Sequence, residues 1–127
     1  MGSRTRWYLE QAKQYAVQAI EGRDRLGEGW ATDPVDRAGL THLVEAVAEY
    51  LGHVPDEIRA AQPRVPWKEI AGMRTIAAHA YHQIDERLVE ATIVRDLPDL
   101  LREIDAMLTG LSPERGGLGG PRPEGRR

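Results

Sequence analysis

Asp33-Pro34-Val35-Asp36-Arg37-Ala38-Gly39-Leu40-Thr41-His42-Leu43-Val44-Glu45-Ala46-Val47-Ala48-Glu49-Tyr50-Leu51-Gly52 states the fold class of this chain. Asp33 is a helix cap. Pro34 suits the first helical position, where a missing N–H is harmless. Leu40, Leu43, Val44, Val47 and Leu51 recur at helical spacing and make one apolar stripe. Gly52 is a stop signal. The same grammar continues in both directions. Upstream, Tyr8, Ala12, Tyr15, Ala16, Ala19 and Ile20 predict a helix from about Thr5 to Arg25, ended by Gly27 and Gly29. Downstream, Pro55-Asp56-Glu57-Ile58 starts a short helix that Pro63 closes. Pro66 opens another, with Trp67, Ile70, Met73 and Ala77 on one side. Asp96-Leu97-Pro98 opens the last, with Leu97, Leu100, Leu101, Ile104 and Leu108 inward. No segment alternates with the period of a strand, and nothing repeats. The reading is an all-α, antiparallel bundle of about five helices. Tyr8, Tyr15, Leu43, Val47, Trp67, Met73, Leu101 and Ile104 are its expected buried positions.

The chain has 127 residues, enough for one domain with one core. Phe is absent, so aliphatic residues and three Trp must fill that core. From Thr109 onward Gly, Pro and Arg dominate and little is left to bury. Residues 1–108 are therefore read as the domain and 109–127 as a disordered tail. Arg122, Arg126 and Arg127 make the tail's end basic, which suits a solvated tail or an RNA-binding arm. Absence of Cys excludes disulfides and thiolate metal sites. No apolar run approaches a membrane span, and the first residues lack a signal core. A cytoplasmic protein with no membrane partner is expected. The net charge of −3 excludes a generally basic nucleic-acid binder, so any RNA contact must rest on a local basic site.

The chemistry concentrates in Arg74-Thr75-Ile76-Ala77-Ala78-His79-Ala80-Tyr81. Arginine binds phosphate oxygens and stabilises developing negative charge. Histidine moves protons near neutral pH. Together the two can cleave RNA without a metal. On a straight helix Arg74 and Tyr81 share a face, while positions five apart, such as Arg74 and His79, diverge by about 140°. A helix end near His79, or a second copy across a two-fold axis, has to bring them together. Read alone, Arg74 pairs with a surface carboxylate, and His79 and Tyr81 cap or pack. Glu49, on the second helix, is either a solvated charge or site support. His42, His53 and His82 show no metal-ligand spacing with carboxylates. A glycine-rich phosphate loop is missing, so the chain does not look like a nucleotidyltransferase or kinase itself.

Val47-Ala48-Glu49-Tyr50-Leu51-Gly52-His53-Val54-Pro55-Asp56-Glu57-Ile58, then Val65-Pro66-Trp67-Lys68-Glu69-Ile70-Ala71-Gly72-Met73-Arg74, then His79-Ala80-Tyr81, Ile84-Asp85 and Asp96-Leu97-Pro98-Asp99-Leu100 together resemble the HepT-like family of HEPN-domain ribonuclease toxins. The resemblance implies a homodimeric HEPN bundle. It implies a metal-independent, cofactor-free endoribonuclease that is the toxin of a toxin–antitoxin pair. The family's catalytic Arg and His fall on Arg74 and His79, and its motif tyrosine on Tyr81. In some members a minimal nucleotidyltransferase antitoxin, MntA, uses ATP to attach AMP to that tyrosine. Tyr81 is thus the implied AMP acceptor, and RNA and an MntA-like protein are the implied partners. The chain departs from the family at Thr75, commonly Asn or another polar residue, and at Ala48-Glu49-Tyr50, where the family usually has Gly-Glu-Ala. A reading from another class is a non-catalytic module that docks a nucleotidyltransferase and holds nucleotide.

Overall fold

The computed structural model describes residues 3–72 and 86–110. Helix α1 runs Ser3–Leu26, α2 Pro34–Leu51, α3 Asp56–Ala60, α4 residues 67–72, α5 Glu86–Ala91 and α6 Leu97–Gly110. A 3₁₀ turn, Glu28–Thr32, joins α1 to α2. A π turn, Thr92–Asp96, joins α5 to α6. No strand occurs among the described residues, and the fold is all-α.

The local signals act as their chemistry requires. Gly27 adopts φ +77°, a left-handed conformation that other residues resist, and its N–H caps the Arg23 carbonyl at 2.9 Å. The Asp33 carboxylate accepts the Asp36 N–H at 2.9 Å, with Pro34 in the first turn of α2. Gly52 closes α2.

α1 is the central element and packs on both α2 and α6. Its buried face is Thr5, Leu9, Ala12, Ala16, Ala19 and Gly22, spaced four, three, four, three and three apart. Contacts run in reverse order along the chain. Tyr15 meets Tyr50 while Gly22 approaches Leu40, so α2 is antiparallel to α1. Arg6 bonds the Leu108 carbonyl, Lys13 pairs with Asp105 and Arg23 with Glu90, so the α5–α6 helix is also antiparallel to α1. Leu9, Val47, Leu51, Val54, Ile93, Leu97 and Ile104 are the large side chains fully enclosed between these helices.

The apolar stripes locate this core. Val47 and Ile104 are fully buried, and Tyr8, Tyr15, Leu43, Trp67 and Leu101 are mostly buried as expected, each keeping one edge exposed. Leu9 and Met107 take core positions that were not assigned to them. The reason is steric. Facing α2 closely, α1 admits alanines at the seam and turns its broad tyrosine rings to the edge. Met73 and Ala77 lie outside the described residues.

Asp96 does not open the last helix. α5, the π turn and α6 form one helical run, with Ala91 and Leu97 both in right-handed helical conformation. Pro98 lies inside it. A proline removes a hydrogen bond to the residue four before it and crowds that carbonyl. The wider turn just upstream absorbs this. The Leu97 N–H reaches back to the Thr92 carbonyl, the spacing of a π bond, so the chain continues without a break. Proline reads as a start signal in sequence, and here a π turn converts it into a shape change.

Replacing Ile104 by Ala should leave a cavity and lower unfolding free energy by about 2–5 kcal/mol. Val35→Ala, at a site 77% exposed, should stay within about 0.5 kcal/mol. Urea denaturation of the two variants checks the placement of the core.

Candidate functional site

Arg74, Thr75, His79 and Tyr81 lie outside the described residues. Glu49 is described. Its carboxylate is half exposed on α2 and lies 3.3 Å from His53 Nε2. The residues around it form a row. His42, Glu45, Glu49 and His53 are three, four and four apart, so they line one side of α2 and the turn after it. Glu45 is the most enclosed of the four side chains. Burial pushes its carboxyl above the ordinary value, and His42, 4.0 Å away, opposes the shift. This row presents carboxylates and imidazoles side by side, a surface able to accept and orient polar groups. Among the described residues no cluster of His, Asp or Glu has the makings of a metal site.

The C-terminus of α2 is tied to the start of α4 by Arg59. Its Nε donates to the Val54 carbonyl and its Nη2 to the Gly52 carbonyl, both at 2.8 Å. These carbonyls follow the end of α2 and lack helical partners. The guanidinium also lies 5.8 Å from the centroid of the Trp67 ring. Trp67 Nε1 donates in turn to the Arg59 and Gln62 carbonyls, each at 3.1 Å. Val65 and Ile70 are buried on either side of it in sequence. The five-residue α3 is too short to stand alone and is held by this knot. Glu49 and the helix whose sequence leads to Arg74 therefore share one fixed support. Trp67 is an anchor, bonded to two carbonyls and packed against the core.

A second tie lies at the other end of α1. Arg23 grips the Glu90 carboxylate with two bonds, Nε at 2.6 Å and Nη2 at 2.7 Å. Trp30 Nε1 adds a third donor to Glu90 at 2.8 Å. Trp30 itself is buried. The network joins α1, the 3₁₀ turn and α5, and it borders a groove of about 440 Å³ flanked by Glu28, Arg87, Val94 and Arg95. The hydrogen bond from Arg23 holds the Glu90 carboxyl below the ordinary carboxylate range, against burial and with help from Trp30. Sequence reading missed Arg23, Trp30 and Glu90 because up to 67 residues separate them. Only an apolar Trp30 beside a glycine hinted at an anchor.

The family profile described as Ribonuclease HepT-like matches residues 5–107. A protein of Caldanaerobacter subterraneus subsp. tengcongensis, named an RNase by inference, is 31% identical over 104 residues, covering 80% of this chain and 91% of its own length. One from Thermococcus cleftensis, named by inference as the ribonuclease HepT, is 30% identical over 95 residues, covering 73% and 86%. One from Methanocaldococcus jannaschii, also named an RNase by inference, is 31% identical over 89 residues, covering 70% and 77%. No solved structure matches the chain. Among the described residues no helix is long and apolar enough to cross a membrane.

Glu90→Gln should lower stability by about 1–3 kcal/mol at neutral pH, since the mostly enclosed Arg23 loses its counter-charge. The sign with pH follows from the lowered folded-state value. The carboxylate's contribution is full above the unfolded-state pKa and fades as pH falls through the folded one. Wild type and variant should therefore converge in acid. Thermal unfolding of both between neutral pH and about pH 3 checks this, and a gap that widened in acid would contradict the pairing.

Proposed function

The chain belongs to the HepT-like ribonuclease family, and from that membership we propose that it is a metal-independent endoribonuclease acting as the toxin of a toxin–antitoxin pair. The observation that carries the reading is that the family match, residues 5–107, runs through Arg74-x4-His79-x-Tyr81. The proposed reaction is transesterification. The 2′-oxygen of a ribose forms a bond to the adjacent phosphorus as the bond to the 5′-oxygen of the next nucleotide breaks. His79 takes the 2′-hydroxyl proton as general base or delivers a proton to the departing 5′-oxygen as general acid. Arg74 stabilises charge on the non-bridging oxygens, for which its planar fork is suited. The products are a 2′,3′-cyclic phosphate and a 5′-hydroxyl, and DNA resists because it lacks the nucleophile. Thr75 and Glu49 are assigned to support of the site. A homodimer places two copies of the motif across one cleft.

Control is assigned to Tyr81. Its phenol oxygen attacks the α-phosphorus of ATP on an MntA-like nucleotidyltransferase, pyrophosphate leaves, and AMP stays on the tyrosine. The new phosphate pairs with Arg74 where an RNA phosphate would bind. Charge and bulk then both oppose RNA.

His79→Ala should reduce RNA cleavage about 10²- to 10⁴-fold and relieve growth arrest on expression. Arg74→Lys should recover little of what Arg74→Ala loses, because an ammonium offers no fork. Cleavage should persist in EDTA, and a chelator-sensitive activity would sink the mechanism. Growth without arrest and RNA without cleavage would instead favour the non-catalytic binding module. Light scattering at micromolar concentration tests the dimer.

Incubation with the partner nucleotidyltransferase, ATP and Mg²⁺ should raise the intact mass by one or more AMP units in wild type and by none in Tyr81→Phe. An equal shift in both would move the modification to another residue.

A further inference from the structure

The first two turns of α1 carry a feature that neither packing nor the Arg74–His79 site accounts for. Trp7 is 49% exposed. An indole normally buries far more of its surface when its role is structural. Trp7 is nonetheless held firmly. It meets Tyr8 edge to face at 5.4 Å and Tyr50 at 5.7 Å. Behind it the other rings are stacked in pairs, Tyr8 on His53 at 4.6 Å and Tyr15 on Tyr50 at 5.6 Å. Five rings from α1, the end of α2 and the turn after it thus make one rigid aromatic surface with an open indole at its rim. Arg4 lines the same groove as Trp7 and Tyr8, a space of about 470 Å³. The first turn of α1 contains no acidic side chain.

We propose that Trp7, with Tyr8, His53 and Arg4, forms a stacking platform for an unpaired RNA base and its phosphate, separate in sequence from Arg74 and His79. The chemistry fits a nucleotide better than another copy of the chain. Every base offers a π face, and stacking on an aromatic ring suits single strands whose bases are free. Arg4, which lines the same groove as the indole, supplies the charge that a phosphate seeks. The centre of a self-interface would be a wider apolar patch depleted of charge. Among the described residues the other exposed large apolar side chains, Val35, Leu88 and Val94, belong to the start of α2, to α5 and to the π turn, not to this cluster. The platform also answers a requirement of composition. A chain of net charge −3 gains little from general electrostatic attraction to RNA and needs local contacts of another kind. The occupant rests on the ribonuclease reading, which makes RNA the ligand. The platform predicts that unpaired strands are preferred to duplex.

The test is binding of the full-length protein to a fluorescent single-stranded oligonucleotide with 2′-O-methyl riboses, which cannot be cleaved by 2′-attack. A duplex of the same sequence is the comparison. Trp7→Ala should weaken the single strand roughly 5- to 150-fold, the range for loss of one base–aromatic stack, and Trp7→Phe much less. Duplex binding should be unaffected by either, and Arg4→Ala should reduce the salt dependence for the single strand. Thermal unfolding of the variants confirms that they are folded, since Trp7 is peripheral to the core. Unchanged single-strand affinity in folded Trp7→Ala overturns the proposal. So does a Trp7→Ala protein whose mass in solution changes while its RNA affinity per protomer does not, because the patch is then a self-interface. Cleavage of unmodified RNA separates the two readings. Wild type that cleaves normally while Trp7 proves irrelevant to binding sinks the platform alone. Wild type that binds through Trp7 but never cleaves sinks the nuclease and leaves the platform.

Discussion

Everything in this bundle is organised by how closely α1 lies against its neighbours. The seam is Ala12, Ala16, Ala19 and Gly22, with Leu9 near one end. A methyl group added at Gly22 would stand 3.1 Å from a methyl of Leu40, already tighter than ordinary contact. Small residues here let two helices approach until the large side chains of α2 and α6 can interlock around them. Enlarging any of them would overpack the interior, at a typical cost of about 1–3 kcal/mol. The same closeness explains why the tyrosines of α1 are pushed to its flank. A seam of alanines has no room for a ring, so Tyr8 and Tyr15 stack with Tyr50 and His53 outside it. The core geometry and the aromatic surface are thus two results of one constraint.

Two polar knots hold the ends. At one, Glu90 receives two bonds from Arg23 and one from Trp30, and at the other Arg59 joins Gly52, Val54 and Trp67. Such pairs are weak evidence for large net stability, because charged groups lose hydration when they pack. Their value is geometric. A carboxylate with three directed donors tolerates few arrangements of α1, the 3₁₀ turn and α5. An arginine that closes the open carbonyls after α2 while facing an indole sets where α4 begins. The Arg59 knot ties the end of α2, which carries Glu49, and the turn after it, which carries His53, to the start of α4.

The acid balance of the whole chain does not conflict with an RNA ligand. Net charge governs long-range attraction, while binding and cleavage depend on groups within a few ångströms of a phosphate or base. Three cations of α1 are committed to carboxylates, Arg6 to Glu10, Lys13 to Asp105 and Arg23 to Glu90. Such neutralised surface contributes little, and selectivity then falls to a few positions.

What the sequence determined by itself is everything with a local cause. Caps and stops come from single residues, which is why Asp33, Pro34 and Gly27 could be read directly. The spacing of Leu40, Val44, Val47 and Leu51 showed which face of α2 turns inward, because helical geometry has a fixed period. The run of short motifs between Val47 and Leu100 was legible as a resemblance to the HepT-like family, and the family match over residues 5–107 agrees with that assignment. What tertiary structure alone decided is whatever depends on distance between elements. No local rule says that α1 must approach α2 closely enough to admit only alanine, so Leu9 in the core and Tyr8 at the edge could not be told apart by periodicity. Nor does one say that Pro98 can sit inside a helix once a π turn makes room, or that Glu90 will find Arg23 and Trp30. Helix propensity and amphipathic phase are properties of a few neighbouring residues. Packing distance and the pairing of buried charges are set by the whole chain at once.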